Sequence, residues 1–414
     1  QERARRGFLL IDEADAICRI VTSAFETEGG CTRVIPAGEY RRQSPVVHSL
    51  DFVAETDDPL KAIRAFLHHT SPRQLLHRAR SRIAIALPCG RVATLSVAPA
   101  RDFAGLLLFR TGHPRHVRAL VSHAAQKGLR LHSNGLQTLS GTDIEVCTEK
   151  ELYAKLDLPF IPPELREEEV WVERAAQHAL PELVEFDDLR GDLHVHSSGN
   201  DMQSTADRHA LGELSNAGLR YVTLFEGPME TKMNVHNVRA WRQVGIESPI
   251  QLLRGVELEI DLDGRLIPDP TLLGSFDVLS ATLSGGLHLP AEVQTQRLRT
   301  ALRHPQLDVL AHPHCQLRDI NRYVAFHEDS VFQLAAQAGI AIEISGAPDQ
   351  LDLAGDACRR LRLYGGKVAL GSRGNLQHAT RNLTWALGQA RRGLLGRDDI
   401  WNCSQADELP LHRG

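Results

Sequence analysis

Gly191-Asp192-Leu193-His194-Val195-His196-Ser197 decides how the second half of this chain reads. In a strand, residues i and i+2 point to the same face, so His194 and His196 can reach one metal ion together. With 20 histidines in 414 residues, a lone His-x-His arises easily by chance. Its weight comes from its company: Gly255-Val256-Glu257 and Ala311-His312-Pro313 close later apolar runs. Working outward, the pattern predicts strands over 193–197, 221–225, 251–259, 277–283, 309–312, 341–345 and 368–372, with helical patterns between several of them. Such alternation predicts an α/β barrel, open or closed. Barrels of this kind place reactive groups at the C-terminal ends of strands, where His196, Glu257 and His312 fall.

Upstream, Pro159-Phe160-Ile161-Pro162-Pro163-Glu164-Leu165-Arg166-Glu167 breaks regular structure, because three prolines cannot share one helix interior. Before that break lies a different pattern. Helical spacing over 8–27 precedes strands at 32–37 and 49–55. A hairpin joins 81–87 to 92–98 through Pro88-Cys89-Gly90-Arg91, and a helix over 113–126 leads to a ribbon at 128–136. The chain therefore divides into 1–112, 113–160, a connector over 161–188 and a barrel over 189–410.

Hydrophobic residues make up 42% and charged residues 24%, the balance of a folded chain rather than a disordered one. No apolar run reaches the roughly 18 residues of a membrane span, and no membrane partner is expected. Seven scattered cysteines form no Cys-x-x-Cys pair, which points to a reducing, cytoplasmic setting. The net charge of −5 hides an asymmetry: residues 1–130 hold 20 Lys and Arg against 12 Asp and Glu, while the remainder holds 27 against 40. A basic first third suits a polyanion such as DNA; a solvated arginine face is the plainer alternative.

The barrel motifs resemble the polymerase-and-histidinol-phosphatase (PHP) domain, a (β/α)7 barrel that binds up to three metal ions for phosphoester hydrolysis. With the Pro-Pro-Glu-Leu-Arg-Glu connector ahead of it, the region is similar to the C-terminal half of bacterial family X DNA polymerases. The resemblance implies nine metal ligands, of which five are matched here, by His194, His196, Asp201, Glu257 and His312. The other four positions fall on Gly227, Leu283, Arg373 and Asn375. A leucine cannot ligate, and a guanidinium in the cage repels the ion and can pair with Glu257 instead. Phosphodiester hydrolysis by this route needs two or more ions. The expectation is no metal, or a single weakly bound Zn, Mn or Mg ion.

The likeness extends upstream. Ala37-Gly38-Glu39-Tyr40-Arg41-Arg42, followed by Ser49-Leu50-Asp51, resembles the nucleotidyltransferase palm of the same polymerases. There, a Gly-Ser turn holds the triphosphate and three aspartates bind two Mg²⁺, hard ions that need carboxylate oxygens. The three carboxylate positions fall on Ser49, Asp51 and Thr94, so only Asp51 is kept, and Glu39 replaces the turn serine. Gly38, Arg41 and Arg42 remain as candidates for nucleotide or DNA phosphate. Phe109-Arg110-Thr111-Gly112-His113 and the ribbon after it are similar to the family's thumb. The likeness runs over about 8–405 and starts where the family's N-terminal lyase and helix-hairpin-helix regions have ended.

The expected architecture is thus α/β and α+β: a palm-like domain, a small thumb and a PHP barrel. Three functional readings follow. The first is a DNA-binding, DNA-repair body with both chemistries lost or weak. The second is a residual metal-dependent phosphoesterase or 3'-5' exonuclease. The third is a polymerase active through substituted ligands.

Overall fold

The computed structural model describes residues 7–27, 31–196, 205–225, 248–266 and 276–411. The chain forms two compact units, Gln1–Leu180 and Pro181–Gly414, whose boundary lies inside the 161–188 connector. No helix among the described residues is long and apolar enough to cross a membrane.

In the first unit, β1 (Leu9–Leu10) and α1 (Ile11–Thr27) lead into β2 (Arg33–Ala37), the short α2 (Gly38–Arg41), β3 (Val46–Val47) and β4 (Ser49–Glu55). The helix expected from residue 8 starts at Ile11, because Leu9 and Leu10 pair with Val47 and Val46 instead. α3 (Pro59–Thr70) begins where the Asp58 side chain accepts from the Lys61 amide at 3.1 Å and Pro59 presets the first turn. Then follow β5 (Gln74–Arg78), β6 (Arg82–Ala86), β7 (Val92–Ala98) and α4 (Ala100–Thr111). The five-stranded sheet has the order β2-β4-β7-β6-β5, with β4 and β7 parallel. Its core includes Val53, Phe103 and Leu107. α5 (Pro114–Gln126), a three-stranded sheet of β8 (Leu129–His132), β9 (Gly135–Thr138) and β10 (Asp143–Ile144), then α6 (Glu149–Lys155) and α7 (Val170–Ala176) complete the unit.

The second unit is built on seven parallel strands in sequence order: β11 (Gly191–His196), β12 (Tyr221–Phe225), β13 (Gln251–Ile260), β14 (Val278–Leu283), β15 (Val309–Leu310), β16 (Ala341–Ser345) and β17 (Val368–Gly371). Among them lie α8 (Thr205–Asn216), α9 (Ala291–Ala301), α10 (Glu328–Ala338) and α11 (Gly355–Leu363), and α12 (Ala379–Arg392) follows the last strand. This is the nearly closed barrel of a (β/α)7 PHP-type fold. At the seam between first and last strands, the His196 amide donates to Gly374 O at 2.9 Å and the Arg373 amide to His194 O at 2.8 Å. Lower down, buried Asn402 donates to Gly191 O and Leu370 O and accepts from the Leu370 amide at 2.7 Å. Side chains alternate along most strands: Leu258, Ile260, Leu279, Leu283, Ile342 and Leu370 pack outward on the helices, while Phe225, Leu253, Val278 and Ala369 fill the interior, and in β11 the register shifts between Asp192 and Val195.

Candidate functional site

Strand alternation brings His194, Glu257 and Glu343 to one end of the barrel interior, and the loops after β15 and β17 add His312 and Arg373. Both loop residues hold left-handed backbone, φ 25° at His312 and 48° at Arg373. The Arg373 guanidinium forks onto Glu257, Nη1 to Oε1 at 2.8 Å and Nη2 to Oε2 at 3.3 Å. The same Nη1 reaches Glu343 Oε2 at 3.2 Å and lies 3.4 Å from His194 Nδ1. Glu343 Oε1 is 2.9 Å from His194 Nδ1, and His312 Nε2 is 3.7 Å from Glu257 Oε1. A Cβ on Gly371 would come within 2.6 Å of both Glu343 Oε1 and the His194 Cβ, so only glycine fits there. The His194 ring stacks on Phe225 at 3.8 Å.

The electrostatics follow from one buried cation. Burial alone would raise the Glu257 carboxyl, but Arg373, then His194 and His312, hold it well below the usual carboxylate range. At Glu343 burial wins over Arg373, and the carboxyl is pushed up. Burial first and the Arg373 charge second depress His194, His196 and His312 from the ordinary imidazole value.

These residues do not fit a multinuclear metal centre. A guanidinium stands among the donors, and among the described residues no three His, Cys, Asp or Glu side chains converge on a metal-holding geometry. Leu283 does not fill a ligand position. It packs in the outer apolar layer, and its neighbour Thr282 faces His312 at 3.4 Å. Asn375 forms a bridge to His196 at the seam. Asp201 and Gly227 lie outside the described residues. Glu343 was not singled out from sequence, although a lone acid inside Ala341-Ile342-Glu343-Ile344-Ser345 was the available signal. Asp192 was also missed: its Oδ1 accepts the amides of His194 and Ser372, both at 3.0 Å, and burial pushes its carboxyl up to about 7.

In the first unit, register places Asp51 of β4 beside Ala37 of β2 and Thr94 of β7, while Ser49 faces Val92. Asp51 is thus the one carboxylate among the three positions. Burial raises it, while the nearby charges of Arg110, Arg82 and Arg42 pull it down. Gly38 (φ 61°) lets α2 pass so close that a Cβ would sit 2.9 Å from Asp51 Oδ2. Glu39 accepts the His48 amide at 2.6 Å.

Arg41 and Arg42 carry internal contacts. Arg41 donates to Thr111 Oγ1 at 2.7 Å and Glu149 Oε2 at 2.6 Å, and Arg42 to Thr111 O at 2.7 Å and Glu167 Oε1 at 3.3 Å. Glu149 also pairs with Arg166, a fully buried guanidinium that lies over the rings of Tyr153 and Phe160. Unlike that pair, the exposed arginines sit elsewhere. Between Asp58 and Asp102 the sequence has no acidic residue, and Arg73, Arg78, Arg80 and Arg82 on the β5–β6 hairpin are all exposed.

The nearly closed seven-stranded barrel and the thumb-like region ahead of it in the chain agree with a distant homology to family X-related DNA polymerases. The family description "DNA polymerase beta thumb" matches residues 106–167. The chain is 26% identical over 333 residues to the DNA polymerase/3'-5' exonuclease PolX of Bacillus subtilis (strain 168), covering 77% of this chain. It spans 57% of that relative's length.

Proposed function

We propose that this protein acts in DNA repair as a cytoplasmic DNA-binding body in which nucleotidyl transfer and phosphoester hydrolysis are lost or weak. The observation that carries this reading is where the cations stand. Arg373 holds Glu257 in the barrel, and the Arg110 charge acts on the Asp51 carboxyl in the palm, two acids at positions matched to the family's metal sites. A positive side chain there opposes a divalent ion at the same carboxylate. Support for DNA as the partner is the acid-free hairpin, whose exposed guanidiniums suit phosphate oxygens. Arg41 and Arg42 contribute less to that contact, because their donors are engaged with Glu149, Glu167 and Thr111.

The test pairs binding with chemistry. Fluorescence anisotropy on a gapped duplex should show affinity that falls steeply between about 50 and 200 mM salt, as phosphate contacts release counterions. The same preparation should neither extend the primer nor degrade it with Mg²⁺ or Mn²⁺. Metal-dependent extension that disappears in Asp51→Ala would refute the reading.

A second reading has its own support. His194 Nε2 and His196 Nδ1 are buried without hydrogen-bond partners, as imidazole nitrogens that serve a metal would be. It holds that one Zn, Mn or Mg ion sits there weakly and gives a residual phosphoesterase. Elemental analysis finding one ion per chain that is lost in His196→Ala would favour it.

A further inference from the structure

The first unit contains a cavity of about 260 Å³ whose lining includes none of Ser49, Asp51 and Thr94. Ile35 of β2 and Phe103, Ala104 and Leu107 of α4 line its apolar side, and the segment from Cys147 to Phe160 closes the other. Three cations also line it: Arg33, Arg41 and Lys150. Arg33 lies over the Phe103 ring at 4.0 Å, holds Glu55 at 2.7 Å and donates to Cys147 O at 3.3 Å. Arg41 is engaged with Glu149, the one acid of the lining, and Glu149 is shared with buried Arg166. Lys150 is exposed and lies 5.9 Å over the Phe160 ring, with no carboxylate partner among the described residues.

We propose that this cavity binds a small organic anion: an aromatic-sized apolar body carrying one carboxylate or phosphate. Three arguments lead there. The volume is below the roughly 300–1,000 Å³ of drug-sized sites, which limits the occupant to a ring system or a branched chain. The apolar side formed by Ile35, Phe103 and Leu107 gains by releasing water to such a body. The charge left over is positive, because the only lining acid is already shared between two arginines and Lys150 has no counter-ion. A cationic occupant would be repelled by that ammonium and a neutral one would gain nothing from it, whereas an anion beside it adds an ion pair. The site lies in the first unit and does not depend on DNA binding or on any metal.

Isothermal titration of the full chain with 2-naphthoate, 2-naphthyl phosphate and the neutral 2-naphthalenemethanol tests this. At least one of the two anions should bind one site per chain at about 1 mM or tighter, and the alcohol about tenfold more weakly. The tighter of the two anions identifies the natural head group as carboxylate or phosphate. Lys150→Glu, a surface change that leaves the fold intact, should weaken the anion about tenfold or more and leave the alcohol unchanged. Methyl NMR shifts should centre on Ile35, Ala104 and Leu107. Equal affinity for anion and alcohol, an unchanged Lys150→Glu, shifts centred elsewhere, or no binding of either anion by folded protein would each overturn the proposal.

Discussion

Arg373→Ala tests the barrel's charge balance most directly. The side chain is 9% exposed and sits between Glu257, 20% exposed, and Glu343, 1% exposed. Removing it leaves Glu257 and Glu343 on one buried face without their shared cation. Breaking a buried pair by deleting one partner costs about 3–5 kcal/mol, and the partial exposure of Glu257 points to the lower end, about 3 kcal/mol. Two things do not change. The Arg373 amide still donates to His194 O, and the left-handed backbone strains alanine as it strains arginine. Arg373→Gly relieves that strain and should therefore lose about 1 kcal/mol less.

Hydrogen exchange at amides of β16 and β17, measured in the whole chain, reports the opening free energy of the second unit by itself. The loss should depend on pH. Because the folded Glu257 carboxyl is held below its usual value, its pairing contributes above an unfolded value near 4.5 and fades as pH falls below it. The gap between wild type and Arg373→Ala should therefore shrink in acid. Adding Glu343→Gln to Arg373→Ala removes one stranded charge and should recover about half of the loss. A loss under about 1 kcal/mol, or no recovery in the double variant, would refute the idea that Arg373 neutralises this cage.

Glu149→Gln strands the fully buried Arg166 guanidinium and should destabilise the first unit by about 3–5 kcal/mol, read as a lower urea midpoint for α4 and α5 exchange. His116, buried against the Tyr153 hydroxyl at 3.2 Å, is held down to about 3, chiefly by burial and then by Arg166. A base depressed in the folded state contributes in full above its unfolded value of 6.5 and loses about 1.4 kcal/mol per pH unit below it, a slope that His116→Gln should remove from acid titrations of stability. Arg78→Glu with Arg80→Glu should weaken binding to the gapped duplex. It should also lower the slope of log affinity against log salt by about 1 for each phosphate no longer neutralised, whereas an unchanged slope would place the DNA elsewhere.

What the sequence made legible follows from the range of each signal. The seven barrel strands rest on period-two alternation, which neighbouring residues specify, and the structure has strands at each of those places, but in β11 the register shifts between Asp192 and Val195, so Leu193 and His194 both line the interior. His312 shows the limit at an element's end. The expected strand stops at Leu310, and the residue turns inward through left-handed backbone that apolar spacing does not encode. Leu283 shows a different limit, a one-residue phase. Aligned by motif it occupied a ligand position, but Val278, Ser280 and Thr282 form the inward row, so Leu283 has to face the helices. Glu343, Glu149 and Arg166 were harder still. Their partners are Arg373, Arg41 and each other, and only tertiary closure decides which carboxylate a guanidinium meets. A buried acid within an apolar strand still carries information by itself, since an unpaired charge there is too costly to persist. Glu343 in β16 therefore implies a cation inside the barrel. The fold supplies Arg373 in that place, and the same reasoning applied to Asp192, which has no cation beside it among the described residues, leaves burial to push its carboxyl up to about 7 at the seam.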